Sequence, residues 1–287
     1  MKRTYISSLF LASVFALVSC YEEDPLNRPL ITVPESNDPI DIYIHDNFVD
    51  KFGVAVRYKF EDRLSDPTKR VTPPKRELVI PMLNFLNEFW IEPFLQVPNG
   101  KTFFEGHVPA EVIFIGSSIY NNDGTETLGT ADAGARITIT RVNDIDTLDT
   151  EWVLLQLNVI YHEFAHIMHQ RHNLPPNWQT MSPEGYTSAG SWYTLVGDEP
   201  LTRGFVSAYA TSSFNEDFAE TVAFFLFDPD FYDRYINDEV CSDNVCLERN
   251  SGRAMIRKKY NAMLNHYLVN TGVDMLKVRD IIQQKLQ

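Results

Sequence analysis

The sequence predicts an α+β protein in which a sheet lobe precedes a mainly helical lobe. Three observations lead there. The strand-like patterns, at residues 54–60, 112–115 and 135–142, all fall in the first half of the chain. A long helical pattern follows at 151–170, and beyond residue 215 the patterned segments have helical spacing. Strands first and helices later is the α+β arrangement. The composition permits a packed domain. The chain has 287 residues, of which 44% are hydrophobic and 22% charged. That excludes disordered, collagenous and coiled-coil classes.

Taken in order, residues 41–49 suit a short helix. Residues 54–60 alternate and read as a strand, and 62–76 form a polar, Pro-containing loop. Apolar residues at helical spacing cover 77–95, and 112–115 is a short apolar strand. Asn121-Asn122-Asp123-Gly124 is a turn. Residues 135–142 alternate, with polar side chains on one face, which fits a strand with one face in water. Loops rich in Pro, Gly and Ser fill 173–208. A second strong helix starts near Asn215 and stops before Asp228-Pro229, because Pro disfavours helix in the residue ahead of it. Residues 251–287 are helical and of mixed charge. The expected lobes are 41–172 for the sheet and 173–287 for the helices.

The N-terminus reads as an address. Lys2 and Arg3 precede an apolar run at 6–18, too short to span a bilayer. It has the form of a secretory signal. Leu17-Val18-Ser19-Cys20 resembles the lipobox of bacterial lipoproteins, which implies removal of residues 1–19 and acylation of Cys20. Several acyl chains together anchor a protein stably where one is marginal. The acidic cluster Tyr21-Glu22-Glu23-Asp24 resembles the surface-export signal of Bacteroidetes-type lipoproteins; a solvated tether is the alternative. The expected place is therefore the outer membrane, on the cell surface or the periplasmic face. Residues 20–40 form the tether. Outside the cytoplasm Cys241 and Cys246 can close a small disulfide loop, or else remain as two thiols. The net charge of −14, without a basic cluster, argues against a nucleic-acid partner, since phosphate contacts need grouped Lys and Arg.

The chemistry concentrates at His162-Glu163-Phe164-Ala165-His166. Residues four apart on a helix lie one above the other, so His162 and His166 can present two imidazoles to one zinc ion. Glu163 is rotated by about 100° from His162. It is expected on the side where a water binds. Zinc lowers the pKa of bound water toward about 7. A carboxylate there can take up the proton and pass it to a leaving amine. The flanking apolar residues mark the helix as buried, where two imidazoles and a carboxylate need partners.

Three protein ligands and one open position are expected of a catalytic zinc. Two candidates exist for the third ligand. His172 completes a local series with His162, His166 and His169, in the manner of metzincins, provided that residues 171–173 leave the helix. His169 stands where metzincins have a turn-forming Gly, and at a helix end both His169 and His172 also suit plain polar contacts. The second candidate is distant. Glu216 and Glu220 share one face of a partly apolar helix. Zinc accounts for Glu216, and a ligand imidazole's other N–H accounts for Glu220. A solvated, acidic helix start is the bland alternative.

H-E-x-x-H followed by E-x-x-x-E resembles the gluzincin metallopeptidases. Tyr209 and the stretch Asn215-Glu216-Asp217-Phe218-Ala219-Glu220 are similar to the catalytic region of anthrax lethal factor. The segments at 162–170, 204–210 and 216–220 resemble the zinc-binding metallopeptidases among Bacteroidetes lipoproteins. The resemblance implies a zincin-like fold, one zinc ion per chain and hydrolysis of peptide or protein substrates. It also implies that Tyr209 donates a hydrogen bond to the oxyanion at the scissile carbon. An edge strand would bind the substrate backbone by strand addition, with 135–142 as the candidate or else an interior strand. The long spacing from His166 to Glu216 implies an inserted loop at 175–205 that walls the cleft. The competing reading is a surface protein that binds peptides or glycans on this fold without turnover.

Overall fold

A computed structural model describes residues 36–61, 68–120, 126–127, 129–132, 136–187 and 190–287. The chain divides into Met1–Asn37 and Asp38–Gln287. The signal segment, Cys20, the tether up to residue 35 and the expected turn at 121–124 lie outside the described residues.

Asp38 opens the second unit as the cap of α1 (Pro39–Ile44), its carboxylate accepting from the Ile40 N–H at 2.9 Å. The helix continues through a wide turn, His45–Val49, to Phe52. It ends at Gly53, whose φ of 71° is the left-handed conformation that a helix C-terminus favours. Strand β1 (Ala55–Arg57) follows. The expected helix over 77–95 is α2 (Arg76–Leu86), extended by a wide turn at Asn87–Ile91 and a last turn at Glu92–Leu95. Then come α3 (Gly100–His107) and β2 (Glu111–Phe114). Strands β3 (Ile119–Tyr120) and β4 (Glu126–Thr127) form a separate small ribbon.

Strands β5 (Gly129–Asp132) and β6 (Arg136–Ile139) complete the main sheet, in the order β1-β2-β6-β5. The first three run parallel, with Glu111 opposite Arg136 between β2 and β6. Strand β5 pairs antiparallel to β6, Gly129 opposite Ile139. Two expectations for residues 135–142 need correction here. Strand β6 is interior, so the sheet edge on that side is β5. Nor does β6 have a wet face, for Ile137, Thr138 and Ile139 are all buried. Parallel strands are covered on both faces, and threonine alternating with isoleucine satisfies such a site as well as a solvated one.

The long helix α4 (Thr150–His172) packs against β5 and β6, and Gln156 reaches the Thr140 carbonyl at 3.3 Å. After the loop region with the short α5 (Glu199–Thr202), α6 (Phe214–Phe227) packs along α4. Helix α7 (Asn244–Thr271) ends at Gly272, and α8 (Met275–Lys285) closes the fold. Buried residues from Ile40 to Ile282 form one hydrophobic core that both lobes share. Within it the Phe164 ring meets those of Trp90, Phe94, Phe103 and Phe104. The first x position of H-E-x-x-H is thus an aromatic anchor that fixes α4 against α2 and α3.

Candidate metal centre

Each helix that carries a site residue is pinned near that residue. Asp149 caps α4 by accepting from the Glu151 N–H at 3.0 Å. The Tyr161 hydroxyl donates to the Phe89 carbonyl and holds the turn beside His162. Ser213 caps α6 by accepting from the N–H of Glu216 itself, at 3.2 Å. At the far end of α6, Arg279 donates to the carbonyls of Phe225 and Asp228, and Gln283 to that of Leu226. These carbonyls are among those a helix C-terminus leaves without intrahelical partners.

The packing of α4 on α6 brings three donor atoms together. The Nε2 atoms of His162 and His166 face each other at 3.0 Å. Glu216 Oε2 lies 3.0 Å from the first and 3.2 Å from the second. Donors at about 2.0–2.1 Å from one tetrahedral zinc are separated by about 3.3 Å. The triangle therefore fits a single ion of that size, with a fourth direction open. Its electrostatics agree. Burial opposes charge on His162, but Glu216 and Glu220 outweigh it and raise the imidazole to about 10. Burial likewise opposes charge on Glu216, yet the two imidazoles hold its carboxyl well below the usual range. The arrangement calls for positive charge at its centre.

The other nitrogen of each imidazole is held as well. His162 Nδ1 lies 2.7 Å from Glu220 Oε1, an acceptor-only oxygen that keeps a proton on Nδ1 and so reserves Nε2 for a cation. His166 Nδ1 lies 2.8 Å from His169 Nε2. His169 is itself shifted down to about 4, by burial and by the neighbouring His166. A neutral imidazole has one nitrogen able to accept, and Nε2 is the one that faces His166. The i,i+3 spacing from His166 to His169 was a legible signal for this contact.

Glu163 is buried beside the pair, with one oxygen within 4.8 Å of both imidazoles. Burial pushes its carboxyl up, against the pull of the two histidines. The Tyr209 ring centroid is 5.8 Å from that of His162. Burial, followed by the Glu216 charge, raises its phenol, so the hydroxyl stays protonated and able to donate. Trp192, from the expected insertion, packs edge-on against Tyr209 at 5.2 Å.

His172 does not join this group. Helix α4 stays helical through His172 and stops at Asn173, whose φ is 59°. Ten residues of helix carry His172 about 15 Å along the axis from His162. Its Nε2 instead lies 2.8 Å from His107 Nε2. Cys241 and Cys246 are joined by a disulfide that ties the segment before α7 to the first turn of that helix.

Two contributors escaped the sequence reading. Ser207 donates to Glu220 Oε2 at 2.6 Å. Lys259, fully buried, pairs with Asp217 and donates to the Gly204 carbonyl at 2.8 Å. Tyr186 donates to the same Asp217 at 2.7 Å. The helix with the candidate carboxylate ligand is thereby tied to both ends of the loop between Tyr186 and Gly204. Neither contact has a spacing signature, since each joins elements distant in sequence.

Residues 33–275 match the model of a family described as "Putative zinc-binding metallo-peptidase". The chain is similar to the crystal structure of a putative zinc-binding metallo-peptidase from Bacteroides caccae. The two share 28% identity over 86% of this chain and 91% of the other, with a TM-score of 0.71. No curated protein matches.

Proposed function

The chain belongs to this family of zinc-binding metallo-peptidases, and on that premise we propose that it is a lipid-anchored, zinc-dependent metalloendopeptidase. The observation that carries the reading is the triangle of His162 Nε2, His166 Nε2 and Glu216 Oε2, flanked by Glu163 and Tyr209. These three side chains would hold one zinc ion per chain. When bound, zinc would polarise the scissile carbonyl and acidify a water molecule.

The protein's own groups do the rest. Glu163 accepts the proton of the attacking water and delivers it to the departing amine. The Tyr209 hydroxyl donates a hydrogen bond where negative charge develops on the former carbonyl oxygen. Glu220 keeps His162 in the tautomer that presents Nε2, and His169 does the same for His166. Strand β5, terminal in the main sheet, is the strand to which an extended substrate backbone would add.

Cys20 is the proposed acylation site, with the mature chain on the outer membrane facing the cell surface. The expected partners are peptide or protein substrates, and the membrane through the acyl chains. Digestion of denatured proteins, with and without a chelator, tests the activity. Cleavage that a chelator abolishes and zinc restores supports it; a folded, zinc-loaded protein that cleaves nothing favours binding without turnover. Incorporation of labelled palmitate into the wild-type chain but not into Cys20→Ala tests the anchor.

A further inference from the structure

Ser207 stands between the two halves of the site. Its hydroxyl donates to Glu220 Oε2 at 2.6 Å. The same oxygen accepts from the Ala210 N–H at 3.0 Å. A carboxylate is acceptor-only and a backbone N–H is donor-only, so the hydroxyl has one satisfactory orientation. The other Glu220 oxygen holds His162 Nδ1 at 2.7 Å. A continuous chain of hydrogen bonds thus runs from Ala210 through Ser207 and Glu220 to His162. Tyr209 lies inside the loop that the Ser207–Ala210 bond closes, at the start of the turn Tyr209–Ser212.

We propose that Ser207 is a positioning residue that sets the His162 ligand and the Tyr209 turn in register through Glu220. The inference rests on the zinc reading above. Its reasoning is mechanical. Without the Ser207 proton, Glu220 keeps one of its two directional contacts. The carboxylate can then rotate, and the His162 ring loses part of its restraint. Groups that orient a metal ligand in this way contribute about 10- to 100-fold to metal affinity or activity. Without the Ser207 acceptor, the Ala210 N–H loses its partner and the turn that carries Tyr209 loses one of its anchors. The turn keeps a separate anchor, the Thr187 N–H donating to the Thr211 carbonyl at 2.8 Å.

The test compares the wild type with Ser207→Ala, Ser207→Cys and Ser207→Thr. Zinc affinity is measured by chelator competition and the ligand field by the visible spectrum of the cobalt-loaded protein. Ser207→Ala is expected to bind zinc about 10-fold more weakly or worse, with an altered cobalt spectrum. Ser207→Thr, which keeps the hydroxyl, is expected to restore both. Ser207→Cys, close in size but a poor donor, repeats the loss should the alanine variant not fold. On a cleaved peptide, Ser207→Ala is expected to lower kcat with KM little changed. Wild-type zinc affinity and cobalt spectrum in Ser207→Ala overturn the inference, as does a threonine variant as defective as the alanine one. A folded wild-type chain that binds no zinc overturns the underlying reading instead.

Discussion

His166 Nε2 and Glu216 Oε2 lie 3.2 Å apart across 50 residues of sequence. No local motif produces that distance; the packing of α4 on α6 does. The ligand set is therefore a tertiary product, and its members respond differently to truncation. Glu216→Ala is expected to lose zinc under chelator competition that the wild type withstands. His172→Ala, which alters only the pair with His107, is expected to retain it. Metal content after dialysis checks both, and the reverse result would make His172 the third ligand.

Glu163→Gln separates binding from chemistry. The amide keeps the shape and polarity of the side chain, and the three donor atoms are untouched. Zinc content is expected to match the wild type. Peptide hydrolysis is expected to fall by about 10²- to 10⁴-fold, the usual contribution of a general base. Steady-state rates on one defined peptide measure it, and wild-type turnover would refute the assigned role.

Lys259 and Asp217 are both fully buried, with Tyr186 donating to the same carboxylate. Removing one partner leaves an uncompensated charge in the core. Lys259→Met is expected to cost about 3–5 kcal/mol, whereas replacing both members by apolar residues of similar volume costs less. Urea denaturation of the two variants checks this. A single substitution as mild as the double one would mean that the pair does not staple α6 to the loop.

Acid should weaken the fold through His107. Its Nδ1 faces the Phe103 carbonyl at 2.7 Å, and its Nε2 faces His172. Burial holds its pKa below 6.5, with the carbonyl opposing and the charges of His172 and Arg171 adding to the depression. As pH falls below about 6.5 the unfolded chain takes up a proton that the folded one refuses. Stability therefore drops, and this contribution levels off once the folded state is protonated too. His107→Gln is expected to flatten the profile between pH 7 and 5. Denaturation of the zinc-free protein checks it, so that metal release plays no part. An unchanged slope would remove His107 from the account.

The sequence made the site more legible than the sheet. H-E-x-x-H and the Glu216–Glu220 pair are each contained in one helix, and helical periodicity projects them onto a single face. The end of α6 was readable for the same reason, because the Asp228-Pro229 step acts on the residue before the proline. Strand order is not local. Alternation along residues 135–142 is the same whether polar side chains meet water or a covering helix, so β6 reads as an edge or a solvated strand when it is neither. Ser207 was hidden for a related reason. A serine in a loop carries no periodic signal, and its role follows only from where Glu220 arrives.

The most direct test is crystallographic. Anomalous scattering collected on both sides of the zinc absorption edge, from crystals of the zinc-loaded protein, locates the ion without reference to any assumed site. The account predicts one peak about 2.0–2.2 Å from His162 Nε2, His166 Nε2 and a Glu216 carboxylate oxygen. A peak coordinated by His172 in place of Glu216, or one away from the α4–α6 interface, would contradict it.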